Sequence, residues 1–137
     1  MEIKINTGVQ KYNLGGKVEV EFNPTDATFA EKIYTTFEEL EKKQQEYSDE
    51  IKNVTDERIF DIGRRIDGEM RTAINNLFGL DVMTPLLGEM NAYAMADGLP
   101  VWANIILAII DVMDESAIAE QKKSTARINK YTKKYHK

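Results

Sequence analysis

The short run Phe22-Asn23-Pro24-Thr25-Asp26, with Phe29 just beyond it, constrains this chain more than any other, because a sheet signal stops there and a helix signal starts. Before it, Lys17-Val18-Glu19-Val20-Glu21-Phe22 alternates polar and apolar residues, the period of a half-buried strand. After it, Phe29, Ile33, Phe37 and Leu40 recur at helical spacing. Asn23-Pro24 starts a turn, since proline pushes its predecessor out of the α region. Asp26 or Thr28 can cap the new helix, and Thr28-Phe29-Ala30-Glu31 fits a capping box. The motif Asn23, Pro24, Asp26 and Thr28 is therefore architectural: a strand-to-helix corner with no chemistry of its own.

The fold class that follows is α+β and mainly α: an N-terminal β-hairpin or small meander, residues 2–22, packed on a bundle of about four helices over residues 27–121. Ile3 and Ile5 alternate with Glu2 and Lys4, and Gly15-Gly16 marks a tight turn before the strand that ends at Phe22. A lone hairpin is marginal in water and needs a helical surface to cover. The first helix runs from about Ala27 to Lys52, with Glu38–Lys42 and Glu39–Lys43 as supporting pairs. Its apolar seam thins after Leu40, so its far end is expected to protrude. Thr55 is an N-cap for a second helix bearing Ile59, Ile62, Ile66, Met70, Ile74 and Leu77 and stopped by Gly79. Thr84-Pro85 opens a third, carrying Leu86, Leu87, Met90, Tyr93 and Ala94 and ending near Asp97-Gly98. Pro100 opens a fourth, whose residues 101–110 are apolar nearly all round, as suits the middle of a bundle. Within it, Asn104 must find a backbone or side-chain partner, and Trp102 reads as a core anchor.

Composition excludes much. The chain has 137 residues and no cysteine, which removes disulfides, thiolate metal sites and cysteine nucleophiles. The start Met1-Glu2-Ile3-Lys4 lacks the apolar core of a signal peptide, and the apolar run 101–110 spans about half of a membrane crossing, so a cytoplasmic protein is expected. Charge is divided unevenly. Residues 1–120 carry 23 acidic and 11 basic residues, a net −12, whereas residues 121–137 carry seven basic residues and none acidic. The expected organisation is one globular domain, 1–121, and a basic arm, 122–137. Lys122, Lys123, Arg127, Lys130, Lys133 and Lys134 in that arm are the candidate partner-binding residues, with a solvated helix end as the plainer reading. The acidic body argues against nucleic acid as the partner.

No catalytic set emerges. The single histidine, His136, is next to the last residue, and Ser48, Ser116 and Ser124 sit in no nucleophile motif. Gly15-Gly16-Lys17 precedes a strand and lacks the spacing of a phosphate loop. Asp111, Asp114 and Glu115 share a helical face that could hold Mg²⁺, but no second carboxylate cluster faces it. Asp61, Arg64, Arg65 and Asp67 read as surface ion pairs. Met70, Met83, Met90, Met95 and Met113 lie in or near helical seams. No cofactor or metal is expected.

Three blocks carry a resemblance: Val20-Glu21-Phe22-Asn23-Pro24-Thr25-Asp26, the segment 90–104 (MNAYAMADGLPVWAN), and the ending Lys130-Tyr131-Thr132-Lys133-Lys134-Tyr135-His136-Lys137. Together, and over residues 3–137, the chain resembles the tail assembly chaperones of long-tailed bacteriophages and prophages of Firmicutes. The resemblance implies a non-enzymatic protein of the bacterial host cytoplasm. Such a protein coats the helical tape measure protein, assists polymerisation of the tail tube protein around it, and is absent from the mature virion. It also leaves room for a homo-oligomer and no role for a membrane. The alternative of a different class is a phage-encoded regulator or host-defence antagonist that sequesters a host protein or nucleotide.

Overall fold

The computed structural model describes residues 1–135, with side chains through Lys130 except that of Ile128. The fold is α+β and mainly α. Strands β1 (Gln10–Leu14) and β2 (Val18–Phe22) form an antiparallel hairpin, followed by α1 (Ala27–Ile51), α2 (Arg58–Phe78) and the short α3 (Met83–Leu87). A second, two-residue hairpin, β3 (Met95–Ala96) and β4 (Leu99–Pro100), leads into α4 (Val101–Tyr135).

The corner after β2 turns as its sequence dictates. Asn23 Oδ1 accepts from both the backbone N–H and the hydroxyl of Thr25, each at 2.8 Å. Its amide donates to the Thr7 carbonyl at 2.8 Å, which ties the N-terminal segment to the corner. Asp26 is the N-cap of α1 and accepts from the Thr28 N–H at 3.0 Å, so Thr28 lies inside the helix and is not the cap.

Four local expectations are corrected. Residues 1–9 form no strand: Ile3 and Ile5 are 84% and 78% exposed, and the first strand begins at Gln10, where Tyr12 can stack on Phe22 at 4.5 Å. At the start of α2 the side-chain acceptor is Asp56, which takes the Arg58 N–H at 3.1 Å, rather than Thr55. The third helix stops at Leu87, because Gly88 adopts φ +59 and ψ −125, outside the helical region. Its start is capped from α2: Asn75 Oδ1 accepts from Val82 N–H and Met83 N–H at 2.8 and 3.1 Å, while Asp81 accepts from Thr84 N–H at 3.1 Å. Beyond it, Asp97 and Gly98 both take positive φ, 54° and 80°, as the tightest hairpin turns require. Met90 and Met95, expected in a seam, are exposed there, whereas Met70, Met83 and Met113 are buried.

Helices α1 and α2 pack antiparallel. Lys43 Nζ lies 3.1 Å from Glu69, and Arg65, further back along α2, pairs with Glu46 and Glu50, further forward along α1. Lys43 thus faces α2 instead of pairing with Glu39, and donating to the Glu69 carboxylate raises the Lys43 pKa as it lowers that of Glu69. The far end of α1 does not protrude: Tyr47 stacks on Tyr93 at 4.3 Å. Ile33, Leu40, Ile66, Met70, Ile74, Val82, Met83, Val20 and Ile106 are fully buried, so every major element contributes to one core. Phe22 also stacks on Phe29 at 4.6 Å, closing the hairpin onto α1.

Candidate partner-binding surface

Helix α4 begins with its first donors satisfied: Val101 N–H and Trp102 N–H reach the carbonyls of Ala94 and Ala92 at 2.8 and 3.0 Å. Asn104 finds the expected partner, donating to the Ala96 carbonyl at 2.8 Å, which fixes the small hairpin against the helix. Trp102 is a core residue, edge-on to Phe37 with ring centroids 5.4 Å apart, and its Nε1–H donates to Gln44 at 3.0 Å.

Burial of α4 is one-sided. Trp102, Ala103, Ile106, Ile109 and Met113 are buried, but Leu107 is 37% exposed and Ala108 is also exposed. The expectation of a central helix surrounded on all sides is therefore corrected. The covered side of α4 packs on α1 and on the β3–β4 hairpin, and the helix lies at the edge of the body. Its second apolar stripe, Ile105, Ala108 and Val112, instead lines an open groove of about 500 Å³ whose opposite wall includes Tyr12, Leu14 and Leu86. A repeat at steps of three and four was visible in the sequence; what was not visible was that it would lack a covering helix.

Past Met113 the helix leaves the body. Residues 117–127 are all exposed, and α4 crosses the boundary between 121 and 122 without a break. Lys122, Lys123, Arg127 and Lys130 are exposed on this extension. At roughly 100° per residue they fall within one arc of about 140°. Lys123 also lies 3.8 Å from Glu120, an exposed pair of little energetic weight. The side chains of Lys133 and Lys134, and His136 and Lys137 entirely, lie outside the described residues. The structure thus brings four of the six candidate residues onto one face, whereas the corner residues Asn23 and Asp26 bond locally and serve the fold.

Elsewhere several charged groups are paired with one another. A concavity of about 950 Å³ between α1 and α2 is lined by Lys43, Arg65 and Glu69, which are paired with one another and with Glu46 and Glu50, and by Arg64, which pairs with Asp61. Asp111, Asp114 and Glu115 are exposed, and among the described residues no three His, Cys, Asp or Glu side chains are grouped to hold a metal ion. Asp67, expected at the surface, is a half-buried junction: it accepts from Arg71 Nε at 3.0 Å and from Ala92 N–H at 2.7 Å. Arg71 in turn donates to the carbonyls of Gly88 and Met90, so this pair holds the whole loop after α3. Gly63 was also missed. A Cβ there would lie 2.4 Å from the Tyr93 hydroxyl.

Among the described residues no helix is long and apolar enough to cross a membrane. Comparison with protein-family models, with curated proteins and with solved structures gives no match.

Proposed function

We propose that this chain is a non-enzymatic phage tail assembly chaperone that binds the helical tape measure protein in the host cytoplasm and assists tail-tube assembly around it. The observation that carries the reading is α4: a helix rooted in the core whose basic extension projects uncovered, with an apolar groove open at its root. The two features suit one kind of partner. A long amphipathic helix can lay apolar side chains into the groove, the mode by which helices dock in grooves generally. Its acidic side chains meet Lys122, Lys123, Arg127 and Lys130, which speed encounter more than they add affinity. The resemblance of residues 20–26, 90–104 and 130–137 to tail assembly chaperones names the tape measure protein as that helix. In this role the chaperone leaves before the virion matures.

Co-expression tests the reading. The cognate tape measure protein is expected to move from the insoluble to the soluble fraction when the chain is present, and to elute with it on size exclusion. A tape measure protein that stays insoluble at matched expression, with no complex, would count against it.

A further inference from the structure

The extension of α4 carries a stripe as well as a net charge. Lys123, Arg127 and Lys130 recur at steps of four and three, so they lie along one line of the helix, with Lys122 beside them. Helix α1 carries a line of the opposite sign at matching steps on the face turned away from the core: Glu31, at the rim of the concavity with α2, then Tyr34, Glu38 and Glu41, all exposed. None of these three glutamates takes part in an ion pair among the described residues; the pairs that α1 makes come from Lys43, Glu46 and Glu50, which face α2. Lys42 flanks the line and leaves it net acidic. The acidic line from Glu31 to Glu41 is roughly 15 Å long and the basic one from Lys122 to Lys130 roughly 12 Å, at about 1.5 Å per residue.

The two lines cannot meet within one molecule. Trp102 sits against Phe37 and Gln44 of α1, whereas Ile109, two turns later, shares a groove with Phe22, whose ring stacks on Phe29. Helix α4 therefore runs antiparallel to α1, from its middle toward its N-terminus. By Met113, roughly three turns on, it is about level with the start of α1, and as a continuous helix it then runs on past that end without turning back.

We infer that the basic stripe Lys123–Arg127–Lys130 on α4 of one copy docks on the acidic stripe Glu31–Glu38–Glu41 on α1 of a second copy. Each copy offers both surfaces, so a two-fold arrangement makes the contact twice. Single exposed pairs are weak, and the association is one of several pairs acting together, sensitive to salt. The inference does not depend on the tape measure reading, because its test contains this chain alone.

The test is the mass of the full chain by light scattering during size exclusion, at about 0.05 M and about 0.5 M salt, where screening lengths differ several-fold. The wild-type chain is expected to associate at low salt and dissociate at high salt. Two triple variants, Glu31→Lys/Glu38→Lys/Glu41→Lys and Lys123→Glu/Arg127→Glu/Lys130→Glu, should each be monomeric at low salt with an unchanged circular dichroism spectrum. Mixed in equal amounts they should associate again, since every stripe then finds its opposite. A monomeric wild type at low salt, or variants that associate as the wild type does, would overturn the inference; so would a mixture that stays monomeric.

Discussion

At the scale of single residues, the tightest constraint is Gly63 in α2, over which the ring of Tyr93 closes while stacking on Tyr47. Gly63→Ala places a methyl 2.4 Å from the Tyr93 hydroxyl and 3.7 Å from the Tyr47 ring. It should destabilise by about 1–3 kcal/mol, the usual cost of overpacking. Because the offending atom is the hydroxyl, Tyr93→Phe should recover much of that loss in the double variant, a coupling that a denaturant titration of the four proteins reads directly. The same tyrosine gives a pH prediction. Burial pushes the Tyr93 pKa up from 10.0 to about 12, and its hydrogen bond with Tyr47 adds to the shift. A raised pKa in the folded state means that the contribution to stability is intact below the unfolded value near 10 and is lost as pH rises toward about 12. Stability should therefore fall over that alkaline window, and less so in Tyr93→Phe. Neither Gly63 nor the Asp67–Arg71 clamp was legible in the sequence, since each acts on residues more than fifteen positions away that no periodicity connects.

At the scale of elements, the two faces of α4 differ in what they support. Ile106 is fully buried, and Ile106→Ala should cost about 2–5 kcal/mol. Leu107, one residue on, is 37% exposed, so Leu107→Ala should cost under about 1 kcal/mol. Equal losses in the two variants would place α4 in the middle of the body after all. Sequence reading served well where local chemistry and periodicity agreed, as in the β2–α1 corner and the stop of α2 at Gly79, whose φ of +69 makes it the left-handed C-cap. It failed for residues 88–100 because apolar spacing through Leu87, Met90 and Tyr93 looked helical, while Gly88 and the Asp97-Gly98 turn broke it. An Asp-Gly pair is a strong hairpin signal, and here it outweighed the helical spacing. The alternation of Ile3 and Ile5 misled in the opposite sense: a strand pattern forms a strand only beside a partner edge.

For the whole molecule, the body and the extension of α4 are separable in energy. Residues 117–127 bury no apolar side chain against the body, and the core ends with Met113. Removing residues 122–137 should leave the unfolding midpoint within error of the full chain. The basic face then stands apart as a surface for partners, and the most direct test of the partner-binding account compares the two chains in complex formation. Full-length and 1–121 chains, each co-expressed with the tape measure protein, are purified and their complexes quantified by size exclusion at low and at high salt. A stable complex is expected with the full-length chain and a markedly smaller yield with the truncated one at low salt, the difference shrinking toward about 0.5 M salt as screening shortens to about 4 Å. Equal yields at low salt, or no complex with either chain, would contradict it.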